Sequence, residues 1–391
     1  VRSADEALLI RRITEFWKDG DYRIVKSQIG DFFAAYPNSD VRDHFTGMLG
    51  DLELLDGRYA AALEHYSSIS DKDVYQSIIL NKLHCYYELG DYEAIEREGT
   101  PFLRVTADPV ASRREELHFL LGEAALKRAE RSTKSDERHA LAQKALPFYE
   151  SLSDASYSDM RLFALAELYT LVGRESEAAP LYRELAKRHP GRAEELLFQA
   201  ASIEAGLNRE AAIAEFGAIA EMGGAKRHEA EYNAIALLFE GEAYEEVLTR
   251  GNRLAPHIEH PHSGLTHFMV GKSAFMLDRI DEAMPHLEAY IAIEKEATPQ
   301  LKNALLMHMS CARLSNDTDL FAATFDRFAS TFPSDLQLPS AMFMHAMLLK
   351  EKGMMREGCE KLAHIYTTYP DFADQESLLF ELAHAHYELG E

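Results

Sequence analysis

Residues 159–190 read Asp-Met-Arg-Leu-Phe-Ala-Leu-Ala-Glu-Leu-Tyr-Thr-Leu-Val-Gly-Arg-Glu-Ser-Glu-Ala-Ala-Pro-Leu-Tyr-Arg-Glu-Leu-Ala-Lys-Arg-His-Pro, and their spacing decides the fold. Leu162, Leu165, Ala166 and Tyr169 recur at helical spacing on one face of a first helix, which Gly173 punctuates. Ala178, Tyr182 and Leu185 share one face of a second helix, and Pro190 ends the unit because it has no N–H to continue it. The small residues Ala166 and Ala178 stand where two antiparallel helices approach closely, with bulkier neighbours around them. Such a hairpin carries apolar surface on both sides and must stack on copies of itself to cover it.

The rest of the chain supplies the copies. A first unit runs from about Glu6 to Pro37, with Asp19-Gly20-Asp21-Tyr22 as its turn. The turn recurs as Asp56-Gly57-Arg58-Tyr59 and Leu89-Gly90-Asp91-Tyr92. Glycine ends the first helix in the left-handed region, and tyrosine opens the second and packs inward. Ala62 and Tyr66 take the small and aromatic places of unit two, and Ile95 and Gly99 take them in an irregular unit three. Unit four, at 111–156, is extended. It has a first helix over about Ala111–Arg131, a polar loop Ser132–Asp136, and a second helix with Ala145, Tyr149 and Leu152. Pro147, placed early in that helix, is expected to bend it, so any hinge or inserted surface belongs here; the alternative is a longer hairpin. Ala212, Phe216 and Gly224 then repeat Ala178, Tyr182 and Pro190 at a constant offset. Further units run from His228 to about Glu259, Gly264–Lys295, Lys302–Pro333 and Pro339–Pro370, with a truncated last one at 376–391. The expectation is one continuous all-α solenoid over 1–391, of ten to eleven units.

This spacing resembles the tetratricopeptide repeat (TPR), a 34-residue helix-turn-helix unit. Its first helix reads large-xx-large-small-xx-aromatic and its second small-xxx-aromatic-xx-small-xxxx-Pro; Leu185 departs at the last small place. The resemblance covers nearly the whole chain. It implies a right-handed superhelix whose first helices present their inner face to a peptide or helix of another protein. The fifth place of each first helix would face that groove: Ile10, Gly47, Leu80, Phe119, Phe163, Leu197, Tyr232, Phe268, Leu306, Phe343 and Phe380. The alternative is that this column only packs between neighbouring hairpins. The TPR subfamily that clamps chaperone C-terminal carboxylates has Lys here and Asn four residues on. Neither occurs in any unit, so an amphipathic helix or apolar segment is the expected ligand. The Tyr36-Pro37-Asn38-Ser39 junction is similar to bacterial envelope-associated TPR proteins, which implies a cell-envelope scaffold, in the periplasm rather than the cytoplasm.

The ninth and twelfth places would face the same groove. Units two to six put Asp51, Glu123, Glu167 and Glu204 there, whereas units eight to ten put Lys272, Arg313 and Lys350. With 65 acidic against 41 basic residues, three consecutive cations are unexpected. The partner site is therefore expected at Phe268, Lys272, Phe275, Leu306, Arg313, Phe343, Met344, Met347 and Lys350. The apolar residues would cover a partner's apolar face and the cations would meet its carboxylates. Ten of the 13 methionines, Met269 to Met355, lie in the same region. Methionine adapts to irregular partners, though Met309 and Met342 fall at core places.

Composition excludes other classes. A net charge of −24 with pI near 5.1 argues against nucleic acid and anionic lipid as ligands. No apolar run approaches the roughly 20 residues that span a bilayer. Cys85, Cys311 and Cys359 lie far apart inside helical patterns, as buried thiols do. His257, His260 and His262, with His267, are the densest histidines; Pro256 and Pro261, which mark a surface loop, and a missing fourth ligand speak against a metal. His384 and His386, two apart on a helix, point away from each other. Glu115-Glu116 and Glu194-Glu195 suit the positive ends of helices, and no catalytic signature is present. The chain is expected to be a non-catalytic scaffold without cofactor or metal. The alternative is a regulatory or sensor module of a larger enzyme or signalling protein, since Val1 replaces an initiating Met and Gly390-Glu391 ends abruptly.

Overall fold

At the first turn, Gly20 takes φ 78° and returns its N–H to the carbonyls of Phe16 and Trp17; Gly90 does the same at φ 73° with Tyr86 and Tyr87. This left-handed cap reverses the chain in two residues and starts the next helix at tyrosine. The computed structural model describes residues 3–106, 110–257 and 262–391. It is helical, with no strand among the described residues. The hairpins pair α1 (Ala4–Asp19) with α2 (Tyr22–Ala35), α3 (Arg42–Leu55) with α4 (Tyr59–Ser67), and α5 (Lys72–Leu89) with α6 (Tyr92–Gly99). They continue as α7 (Arg114–Arg131) with α8 (Ser135–Glu150), α9 (Ser158–Leu171) with α10 (Glu175–Arg188), and α11 (Ala193–Leu207) with α12 (Arg209–Met222). Next come α13 (Arg227–Glu240) with α14 (Tyr244–Leu254), α15 (His262–Met276) with α16 (Ile280–Ile293), and α17 (Pro299–Leu314) with α18 (Thr318–Thr331). The series ends with α19 (Leu338–Glu351), α20 (Met355–Thr368) and α21 (Gln375–Leu389). The chain divides into two compact units, Val1–Leu196 and Leu197–Glu391.

Within each unit the core is a series of seams between hairpins. In the first unit, Ile13, Val25, Ile29, Phe32 and Phe45 fill one seam, and Leu80, Leu83, Ile95, Leu117 and Leu121 fill another. In the second, one apolar cluster runs from Ile235 through Leu287 and Phe325 to Leu348. The small-against-large rule of the 159–190 stretch operates throughout. Ala166 and Ala178 are fully buried. A Cβ on Gly50 would lie 2.4 Å from the Tyr66 ring, and one on Gly271 would lie 3.0 Å from Leu287. The three cysteines are buried and unpaired.

Three local expectations need correction. Tyr22 opens α2 but does not pack inward; it is exposed and lies against Trp17 at 5.4 Å. In the fourth hairpin the polar loop is only Ser132–Lys134, because Ser135 already begins α8. Pro147 falls near the end of α8 rather than early, and α7 and α8 form one long hairpin. The irregular third hairpin carries a buried polar cluster beside its apolar seam. Lys82, nearly buried, pairs with Glu98 at 2.7 Å, and Glu98 also accepts the Tyr75 and Tyr86 hydroxyls at 3.0 and 2.8 Å. Burial pushes the Glu98 carboxyl up, but the bonds from Lys82 and Tyr86 outweigh it and hold it below its usual range.

Candidate functional site

The first helices of the second unit bring the expected residues to one series of seams, in different states of exposure. Phe268 on α15 is only 6% exposed, its ring 6.2 Å from Phe239 and 5.2 Å from Tyr290, so it is core. Phe275, Leu306 and Met344 are half-buried against the same core, and Phe343 is half-buried with its ring 5.7 Å from Phe372. Met347 is also half-buried.

The three cations differ. Lys272 holds its ammonium 5.2 Å from the centre of the Phe239 ring, and Arg313 is exposed in the last turn of α17. Lys350 is not available to a partner: its side chain is 6% exposed, paired with the Glu381 carboxylate and 3.0 Å from the Glu381 carbonyl. Of the fifth-place column, Leu80 is buried and most other members are half-buried, which is how inter-hairpin packing residues look. Phe380 is the exception at 68% exposure.

Two of the acidic places, Asp51 and Glu123, serve the fold of the first unit. Asp51 accepts the Tyr66 hydroxyl at 2.7 Å and the Asn81 amide at 2.9 Å. Glu123 accepts the hydroxyls of Tyr149 and Tyr87. The aromatic place of the second helix thus carries a hydroxyl where the preceding first helix offers a carboxylate. In the hairpin of α11 and α12 that place is Phe216, facing Phe198 instead. Glu167 is half-buried, and burial with the neighbouring Glu130 charge pushes its carboxyl up. Glu204 is half-buried on α11.

The histidines are dispersed. His257 stacks on His228 at 6.2 Å, His262 lies 4.4 Å from the Tyr232 ring, and His267 Nδ1 meets His286 Nδ1 at 2.9 Å. His260 lies outside the described residues. No group of three metal-ligating side chains forms among the described residues. His384 stacks on Phe380, while His386 Nε2 is 3.6 Å from Cys359 Sγ. Glu115 accepts the backbone N–H groups of Ser153 and Asp154, tying the end of its own hairpin, and Glu116 pairs with Arg113 at 2.6 Å. Sequence spacing gave no sign of a recess among α12, α13 and α14, because its charged groups come from three helices and follow no repeat place.

No protein-family description matches the chain, and no curated protein matches it. Among solved structures it is similar to a tetratricopeptide repeat protein from Parabacteroides merdae, at 15% identity and TM-score 0.35 over 78% of this chain and 100% of that one. It is similar to Naa15/Naa10 bound to HypK-THB, at 13% identity and TM-score 0.24 over 98% of this chain and 79% of that one. It is also similar to the Cut9-Hcn1 hetero-tetramer of the APC/C, at 13% identity and TM-score 0.27 over 99% of this chain and 84% of that one. The succession of helical hairpins, many with left-handed turns and several with a glycine against a large side chain of the partner helix, makes this an all-α helical repeat of the tetratricopeptide type.

Proposed function

We propose that the chain is a non-catalytic scaffold for other proteins, and that the first-helix face of its second unit takes an amphipathic helix or apolar segment of a partner. One observation carries this reading: Phe275, Leu306, Phe343, Met344 and Met347 leave apolar edges uncovered beside two cations, Lys272 and Arg313, that form no ion pair among the described residues. Apolar burial would supply most of the affinity. The cations would orient acidic residues of the partner, at about 0.2–1 kcal/mol each. Phe268 and Lys350 take a supporting part, as core and as an internal ion pair.

The test is site-directed photo-crosslinking in the full chain, with the crosslinker at Leu306 or Arg313 and controls at Asp319 and Ala323 on α18. Adducts identified by mass spectrometry are expected from the first pair and not from the second. The Lys272→Glu/Arg313→Glu double variant should weaken the captured partner about fivefold or more. Equal adducts from α18, with parent-like affinity in the double variant, would move the site elsewhere.

A further inference from the structure

Away from that face, the second unit contains a recess whose chemistry is unlike the rest of the surface. It lies among α12, α13 and α14 and encloses about 750 Å³, within the range of small-ligand sites. Its α12 wall is built from the small residues Ala214, Gly217 and Ala218, which leave room beside the α14 side chains. A Cβ on Gly217 would come within 3.3 Å of the Arg250 guanidinium. Glycine therefore leaves the space beside that group open.

The charged groups are held in place. Glu231, 5% exposed, receives Arg250 Nε at 3.1 Å and Nη2 at 2.6 Å, and Arg253 Nη2 at 2.7 Å. Burial pushes the Glu231 carboxyl up, but the two arginines more than offset this and hold it below its usual range. One buried carboxylate thus gathers two guanidinium groups and neutralises only one of their charges. Arg250 is itself largely buried, with 19% of its side chain exposed. Of the five N–H bonds a guanidinium carries, Glu231 takes two, and no other described acceptor engages Arg250. The remaining donors reach the open recess, where an added acceptor would replace water with a charge-assisted bond. Arg227 and His228 begin α13 at the same recess. The first N–H groups of α13 therefore add to the pull on an anion. The opposing acids, Glu210 and Glu221, stand exposed on α12, where water screens them as it screens Arg227 and Arg253, so the largely buried Arg250 is the cation least screened in the recess.

We propose that this recess is an oxyanion-binding site, taking a carboxylate or phosphate group carried by a small organic molecule or by an acidic segment of a partner. The arginine fork and the α13 N-terminus would hold the oxygens, while Ile213, Ala214 and Leu254 would cover the attached carbon skeleton.

Calorimetric titration of the full chain tests this with three probes: inorganic phosphate, citrate and penta-glutamate. Saturable one-to-one binding of at least one probe is expected. Phosphate or citrate binding identifies a free ligand, and binding of penta-glutamate alone identifies an acidic segment. Arg253→Ala leaves the Arg250–Glu231 pair in place, and Arg227→Ala touches an exposed side chain. Each should weaken binding tenfold or more with an unchanged unfolding midpoint. Gly217→Leu should abolish binding by filling the recess. No saturable binding of any probe, or parent-like affinity in both arginine variants, would overturn the proposal. Because these residues lie outside α15, α17 and α19, the outcome is independent of the crosslinking result.

Discussion

Three turns of the second unit do without the glycine that the first unit uses. Glu242, Asp278 and Asn316 sit at φ 58°, 57° and 56°. A side chain in that region costs about 1–2 kcal/mol, least for Asn. Glu242→Gly should therefore raise stability by about 1 kcal/mol and Asn316→Gly by less, read as the shift of the urea midpoint at constant slope. Gly50 poses the opposite problem. Its Cβ would fall 2.4 Å from the Tyr66 ring, and the Tyr66 hydroxyl is tethered to Asp51. Gly50→Ala should cost about 1–3 kcal/mol, because the ring has no free direction to move. His345 is 4% exposed, packed 5.5 Å from Phe321 and 5.3 Å from Phe325, and burial with the Lys361 charge lowers its pKa to about 4.

At the scale of the element, the α5–α6 hairpin adds a buried ion pair to its apolar seam. Removing one partner strands the other. Glu98→Leu should cost about 3–5 kcal/mol, whereas the double variant Lys82→Met/Glu98→Leu should recover most of that loss. Chemical denaturation of the single and double variants checks it, and equal losses in both would show that packing, not charge, governs the hairpin. In α9, Ala166 is fully buried at the close approach to α10. Ala166→Trp should lower the melting temperature by many degrees, since no cavity accepts an indole there.

On the scale of the whole chain, the two units differ in how they meet acid. Burial lowers the pKa of His267, His286, His308 and His345, all in Leu197–Glu391; in Val1–Leu196 only His118 among the described histidines is so lowered. An unfolded histidine binds its proton near 6.5, while folded His286 and His345 resist until about 4. The unfolded state therefore holds more protons in between, and the stability these residues contribute above pH 6.5 is lost as pH falls toward 4. For His345 the loss is of the order of 3 kcal/mol. Glu53 in the first unit, held near 2 by Arg58 and Lys26, loses its contribution only at lower pH. Hydrogen exchange with mass spectrometry should show amides of the second unit losing protection between pH 6.5 and 4.5, ahead of those of the first. His345→Phe should reduce that difference. Simultaneous loss in both units would contradict it.

The hairpins were legible in the sequence because each depends on residues close together in the chain. Gly173, Ala166, Ala178 and Pro190 act through backbone φ, ring-free volume and a missing N–H, and these are properties of residue type at a given spacing. The first unit's glycine turns were readable for the same reason. The turns at Glu242, Asp278 and Asn316 were not, because residues other than glycine enter the left-handed region too seldom for their type alone to mark a turn. The candidate partner face was half legible. Helical spacing placed Phe275, Leu306, Arg313 and Met347 on first helices. It could not show that Phe268 is covered by Phe239 and Tyr290, or that Lys350 is taken by Glu381. Which side chains remain free is settled between helices distant in sequence, as is the gathering of Arg250 and Arg253 on Glu231. Spacing along one helix carries no information about the distance to another, so the sequence determined the repeat and tertiary structure alone decided which of its charges and rings are spent inside it.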